Sequence, residues 1–277
     1  MALFGRWSRR DLLKTSGVAS ALAAAPAAAA AAATTGAGLP RLTGLEADNC
    51  FTRIGVRPLI NARGTYTIIS GSRSLPEVKQ AMFEASHYYV DLDEMMDGIG
   101  ARLARLNGAE WGIVTNGCEA AIVLATIACI AGSDVEKAQA LPYIKGRDQV
   151  IIPKHSRNPY DVGIRMVGAE LVEVETPEQM RAAITPRTAM VYVMSSPREA
   201  KSPLNIAAIC AVGKQTGVPV FVDAAADEPL VPNIHLAKGA TLVGYSGGKC
   251  LRGPQSSGIL IGDKSLCKAA YYQAAPH

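Results

Sequence analysis

The sequence predicts an α/β fold built on a largely parallel sheet, and three observations carry that prediction. Short β-branched apolar runs alternate with helical segments from about Phe51 onward. Some of these runs are apolar without interruption, Val218-Pro219-Val220-Phe221-Val222 most clearly, as strands covered by helices on both faces require. At 277 residues, with 49% hydrophobic and 19% charged, the chain is also long enough for one large domain with a substantial core.

The elements follow in order. Residues 1–35 read as an address: Ser8-Arg9-Arg10-Asp11-Leu12-Leu13-Lys14 resembles the twin-arginine export motif, with Leu12 where Phe is usual. An alanine-rich stretch follows from 15 to 33, with several A-x-A cleavage sites. The segment is poor in Leu, Ile, Val and Phe, which argues against a membrane anchor. The expected partner is the twin-arginine translocase and the expected location periplasmic or otherwise extracytoplasmic, or cytoplasmic if the signal is not functional. Residues 36–50 read as a linker and 51–277 as the folded domain, with no repeat of fixed period.

Within that domain the candidate strands are 111–114, 149–153, 170–174, 189–194, 219–223, 241–245 and 258–261. Helical patterning falls at 76–90, 93–107, 119–131, 159–167, 177–184 and 203–216. Pro76, Pro159, Pro177 and Pro203 open four of these helices, where a missing N–H costs nothing. Asp91, Asp93 and Glu94 fit a helix start.

Composition excludes some functions. The net charge of +4 is mild, and no Lys/Arg stripe interleaved with aromatics appears, so no nucleic-acid partner is expected. The six cysteines are scattered without a C-x-x-C pair or a histidine at zinc-ligand spacing, so no metal is expected and most read as small buried apolar residues.

Three features carry chemistry. In Thr115-Asn116-Gly117-Cys118-Glu119-Ala120 a strand turns through glycine into a long apolar helix, whose free N–H groups and positive dipole end suit a phosphate. Asp223 ends a buried apolar strand, where a carboxylate is costly unless paired, and a protonated ring nitrogen is a suitable partner; a helix cap or a salt-bridged loop would serve too. Lys249 follows a strand and two glycines in Ser246-Gly247-Gly248-Lys249, and Arg252 begins the turn into the next strand. A lysine amine and a ring-facing carboxylate are what pyridoxal 5′-phosphate (PLP) needs, with Ser246 and Arg252 as further anion ligands. Asp227 and Glu228 read as exposed charges on the loop after Asp223.

Those stretches, together with Asn61-Ala62-Arg63-Gly64-Thr65, Val90-Asp91-Leu92-Asp93-Glu94, His155-Ser156-Arg157-Asn158-Pro159-Tyr160-Asp161 and Val222-Asp223-Ala224-Ala225, carry a resemblance. From about Phe51 onward the chain resembles the fold-type I PLP-dependent enzymes of the selenocysteine synthase (L-seryl-tRNA(Sec) selenium transferase) and D-glucosaminate-6-phosphate ammonia-lyase type. The resemblance implies a mostly parallel seven-stranded sheet sandwiched by helices and a homodimer or higher homo-oligomer with shared active sites. It implies Lys249 as the Schiff-base lysine, Asp223 as partner of the ring nitrogen, Asn116, Gly117 and Cys118 as the phosphate cradle, and His155 beside the ring. A structural histidine at a strand end is the alternative for His155. Arg63 and Arg157 are offered as ligands of a substrate carboxylate or phosphate, through bidentate contacts.

The implied activity is a lyase or transferase working by α,β-elimination or β-replacement on a small amino acid or amino sugar acid. Alternatives are an aminotransferase, racemase or desulfurase on the same fold, the selenium transferase itself, or a PLP-binding protein without catalysis. Members of the family continue through a smaller C-terminal domain beyond the point matching His277, and the sequence shows no distinct tRNA-binding region. The twin-arginine route carries folded proteins, so PLP would be loaded before export, and a job on cytoplasmic tRNA is disfavoured.

Overall fold

The computed structural model describes residues 48–143 and 145–274. The expected signal at 1–35 and most of the expected linker at 36–50 lie outside the described residues. The chain divides into two compact units, one ending at Gly64 and one beginning at Thr65. In the first, the Asn49 side chain accepts from the N–H groups of Phe51 (2.9 Å) and Thr52 (3.2 Å) and so starts a 3-10 turn over Thr52–Ile54.

The second unit holds the sheet. Its strands are β1 Trp111–Thr115, β2 Gln149–Pro153, β3 Glu170–Val174, β4 Thr188–Met194, β5 Val220–Asp223, β6 Leu242–Ser246 and β7 Gly258–Gly262. They lie in the order β1-β7-β6-β5-β4-β2-β3. Every pairing is parallel except those of β7, which runs against both β6 and β1. The expected α/β class with a seven-stranded, mostly parallel sheet is therefore found, and each predicted strand is correct to within one residue at either end.

Alternation along the strands divides the core in two. Met190 and Tyr192 of β4, Phe221 of β5 and Leu242 of β6 pack against Ile122 and Ala125 of α3 (Cys118–Ala131). Ile164 of α5 (Val162–Met166) and Cys267 of α9 (Lys264–Tyr272) join the same layer. The intervening residues Val191, Val193, Val220, Val222 and Val243 face Met180 of α6 (Pro177–Ala183) and Ile206 and Ile209 of α7 (Ile206–Thr216). Period two thus decides that Asp223, two residues past Phe221, points to the α3 side.

Helix ends depart from the sequence patterning where side chains cap the backbone. α1 (Pro76–Ala85) stops five residues before 90, with the Ser86 hydroxyl and His87 Nδ1 both bonded to the Phe83 carbonyl, at 2.7 and 2.8 Å. α7 starts at Ile206 because Asn205 Oδ1 takes the Ala208 N–H at 3.0 Å. The 159–167 helix divides into a 3-10 turn, Pro159–Asp161, and α5, since Asn158 and Asp161 cap one another. α2 (Leu92–Asn107) opens on Asp91, whose Oδ1 accepts the Glu94 N–H at 2.9 Å. α4 (Val135–Gln139), α8 (Ile234–Ala237) and α9 carry no helix-start proline and went unpredicted; Asp134, Asn233 and Asp263 cap them. No helix among the described residues is long and apolar enough to cross a membrane.

Candidate cofactor site

Parallel strands deliver their carboxyl ends to one edge of the sheet, the usual place for a ligand in an open α/β fold. Here that edge receives Thr115 from β1, Met194 from β4, Asp223 from β5 and Ser246 from β6.

β1 leads into Gly117, whose φ of 97° is easy only for glycine, and the chain then enters α3 at Cys118. The Thr115 hydroxyl holds this turn by donating to the Gly117 carbonyl at 2.8 Å. No side chain caps the helix start, so first-turn N–H groups remain available to an anion. β7 lies directly beneath: a Cβ on Gly258 would sit 2.6 Å from Gly117 C and 2.8 Å from Cys118 N. Asn116 is exposed, Gly117 half-buried and Cys118 buried.

Asp223 is only 4% exposed, yet its carboxylate is well supplied with donors. Oδ1 accepts from the Ala225 N–H at 3.0 Å and the Cys118 thiol at 3.5 Å, and Oδ2 accepts from the Tyr192 hydroxyl at 2.7 Å. Burial pushes the Cys118 thiol well above its ordinary range and the charge of Asp223 adds to this, while the Lys249 ammonium acts in the opposite sense. Cys118 therefore senses both charges and stays a thiol. Burial, then Asp223, likewise hold the Tyr192 phenol far above its usual range, so it remains a donor.

Lys249 sits half-buried in the turn after β6. Among the described residues neither its amine nor the Ser246 hydroxyl has a hydrogen-bond or ion-pair partner. The adjacent glycines serve the loop itself: a Cβ on Gly247 would meet Ser257 Oγ at 2.0 Å, and one on Gly248 would meet Gln255 Oε1 at 2.5 Å. A strap from 71 to 75 fastens this loop from outside. The Ser72 hydroxyl contacts the carbonyl oxygens of Gly248 (3.0 Å) and Lys249 (2.8 Å), Ser74 Oγ donates to the Gly253 carbonyl (2.9 Å), and the Leu75 N–H reaches the Arg252 carbonyl (3.0 Å). Arg252 is exposed, has a φ of 51°, and points Nε at the Arg73 carbonyl at 3.5 Å.

Other predicted residues are differently placed. His155 lies beyond the end of β2, with Nε2 3.1 Å from the Leu204 carbonyl and Nδ1 3.1 Å from Ser156 Oγ, so protein groups engage both ring nitrogens. Arg157 donates from Nε to Asp161 Oδ2 at 2.6 Å and from Nη1 to Glu173, which commits its guanidinium within the protein. Arg63 lies in the unit that ends at Gly64 and is exposed. Asp227 is not an exposed loop charge as expected: it is half-buried, with Oδ2 2.9 Å from Nε2 of the buried His235. Glu228 is exposed. Cys118, Cys129, Cys210 and Cys267 are buried, whereas Cys50 and Cys250 are exposed. Among the described residues no group of three or more His, Cys, Asp or Glu is arranged to hold a metal ion.

Sequence reasoning missed Tyr192, Asn158 and the strap serines. Alternation in β4 does place Tyr192 on the face of Phe221, but its proximity to Asp223 depends on the β4–β5 register, Tyr192 opposite Phe221 and Met194 opposite Asp223.

These residues fit PLP: an uncapped helix start for its phosphate, a buried carboxylate for its ring nitrogen, and an unpaired lysine for its aldehyde. Comparison with known proteins agrees. Residues 79–274 match the family model described as Cys/Met metabolism PLP-dependent enzyme. D-glucosaminate-6-phosphate ammonia lyase of Salmonella typhimurium is 32% identical over 237 residues, covering 80% of this chain and 63% of the relative. A 5′-C-glycyluridine monooxygenase-decarboxylase from Streptomyces is 33% identical over 80% of this chain and 59% of its own length. L-seryl-tRNA(Sec) selenium transferase of Geotalea uraniireducens is 29% identical, over 76% and 50%. A solved structure of D-glucosaminate-6-phosphate ammonia-lyase superposes with a TM-score of 0.76 at 30% identity, over 82% of this chain and 63% of that one. The chain thus spans less than two thirds of the length of these relatives.

Proposed function

Because the chain belongs to the Cys/Met metabolism PLP-dependent enzymes, we propose that it binds PLP at the carboxyl edge of its sheet through Lys249. On this reading it is a lyase or transferase that performs α,β-elimination or β-replacement on a small amino acid or amino sugar acid. The observation that supports it most is Cys118: its N–H opens the uncapped helix and its thiol bonds Asp223 at 3.5 Å, so one residue joins the anion-binding turn to the buried carboxylate.

When bound, PLP supplies an aldehyde that captures amines and an electron-poor ring that stabilises negative charge at the substrate α-carbon. The protein's part is attachment, orientation and proton movement. Lys249 would provide the attaching amine and would hold or move the proton at the substrate α-carbon. The buried Asp223 carboxylate would face the ring nitrogen and keep its proton in place. The first-turn N–H groups of α3, with Asn116, Ser246 and Arg252, bind the phosphate. His155, with both ring nitrogens engaged by protein groups, would serve beside the ring as a fixed wall rather than as a proton carrier.

The names of the relatives cover a lyase, a monooxygenase-decarboxylase and a transferase, so the reaction needs a direct test. Protein loaded with PLP is offered D-glucosaminate-6-phosphate and β-substituted amino acids, and the products are analysed. Ammonia with a keto acid supports elimination; dependence on an added keto acid points to transamination; no turnover of any amine contradicts the proposal.

We further propose a homodimer that covers the apolar surface of the second unit. α1 buries no residue, and Ile68, Phe83, Tyr88, Tyr89, Val90 and Leu92 are all exposed. Sedimentation of a monomer at micromolar concentration would contradict this. Export through the twin-arginine translocase completes the proposal, resting on Arg9 and Arg10.

A further inference from the structure

The stretch from His155 to Asp161 stands out in the sequence but none of its side chains has an evident part in phosphate binding or proton transfer. Its hydrogen bonds lead to Asp223. Asn158 Nδ2 donates to the Ser156 carbonyl at 2.8 Å and to the Tyr192 hydroxyl at 3.0 Å, while Asn158 Oδ1 takes the Tyr160 N–H at 2.8 Å. The amide is therefore held in one orientation through both its nitrogen and its oxygen, with a donor aimed at the phenol. Since the phenol oxygen accepts from Asn158, its own proton is committed to Asp223 Oδ2, 2.7 Å away. Tyr192 is fully buried, and its ring stacks on Phe221 at 5.9 Å between centroids and 14° between planes.

The turn that holds Asn158 is itself braced. Asp161 closes the capping box on the Asn158 N–H and is paired with Arg157 and Arg165. Ser156 Oγ accepts the Met194 N–H at 3.1 Å, which ties the turn to the end of β4. Arg157, offered from sequence as a substrate ligand, has its guanidinium spent on this bracing.

We propose that Tyr192 and Asn158 are positioning residues that hold the Asp223 carboxylate oriented toward the cofactor ring nitrogen, an assignment that rests on the PLP reading above. With the Cys118 thiol and the Ala225 N–H on Oδ1 and the Tyr192 hydroxyl on Oδ2, one acceptor position of Oδ2 is left for that nitrogen. The hydroxyl stabilises the charged carboxylate and fixes which lone pair remains.

The test compares dissociation constants for PLP and for its 1-deaza analogue, which lacks the ring nitrogen, measured by fluorescence quenching. Wild-type protein prefers PLP. Tyr192→Phe lowers that preference about tenfold or more, as expected for loss of one hydrogen bond to a charged acceptor, and leaves affinity for the analogue unchanged. Asn158→Ala gives a smaller loss in the same sense and carries the test if Tyr192→Phe does not fold. Phe221→Leu, which loosens packing around the ring and keeps the hydroxyl, affects both ligands alike. A wild-type preference retained in both Tyr192→Phe and Asn158→Ala overturns this assignment alone. Wild-type protein that binds neither ligand overturns the PLP reading along with it.

Discussion

Gly258→Ala tests how closely the sheet supports the anion-binding turn. The added Cβ would stand 2.6 Å from Gly117 C and 2.8 Å from both Cys118 N and Gly117 O, all backbone atoms that no rotamer change can move. Ordinary contact begins at 3.4 Å, so the turn or the strand must retreat by about 0.8 Å (3.4 less 2.6). Overpacking of this kind costs about 1–3 kcal/mol. In a domain of this size each kcal/mol lowers Tm by roughly 2–4 °C. A shift of about 0.8 Å also stretches an N–H to phosphate bond from ~2.9 Å to beyond the useful limit, so PLP affinity falls about tenfold or more. Gly98→Ala is the matched control: it lies within α2, where an alanine Cβ would meet nothing within 4 Å beyond its chain neighbours and the nearby backbone of its own helix, and alanine there favours the helix by up to ~1 kcal/mol. Thermal melts and PLP titrations of the three proteins decide the matter. A Gly258→Ala protein with wild-type Tm and wild-type PLP affinity would refute the close-support argument.

Three other outcomes are expected. Ser72→Ala removes the hydroxyl shared by the Gly248 and Lys249 carbonyls and lowers stability by about 0.5–1.5 kcal/mol in urea titration, with slower PLP attachment to Lys249 measured by stopped-flow absorbance. Burial raises the Asp161 pKa, but hydrogen bonds from Arg157, Asn158 and Arg165 outweigh it and hold the carboxyl below its ordinary range. A depressed folded pKa contributes stability above the unfolded carboxylate range that is lost as pH falls through and below it; Asp161→Asn should therefore flatten the acid limb of a Tm-against-pH curve. Replacing Arg9 and Arg10 by lysine should retain a fused reporter in the cytoplasm, which fractionation reads directly.

Much of the fold was legible because its strands are short runs of β-branched residues bounded by turn signals, and such runs have few alternatives in a covered parallel sheet. Helix ends were less so, since a cap such as Asn205 or Ser86 acts through one side-chain bond that an opening proline can outrank in a reading by pattern. Gly117, Asp223 and Lys249 are legible as candidates because strand ends and glycine turns announce themselves locally. Tyr192 could not, because only the register of β4 on β5 brings its hydroxyl to Asp223. Ser72 reaches the Lys249 carbonyl across 177 positions of sequence, a contact no local pattern encodes. Arg157 and Asp227 show the reverse error: each reads as available for a ligand or solvent until the fold supplies Asp161 and Glu173 to the one and His235 to the other.

The central claim is that Lys249 is the residue that carries PLP. Freshly prepared full-length protein, incubated with PLP and reduced with borohydride, is weighed intact and then mapped by peptide mass. One reduced pyridoxyl phosphate adduct per chain, on the peptide containing Lys249 and absent from Lys249→Ala, is the predicted result. An unmodified chain, or an adduct on another lysine that persists in Lys249→Ala, would contradict it.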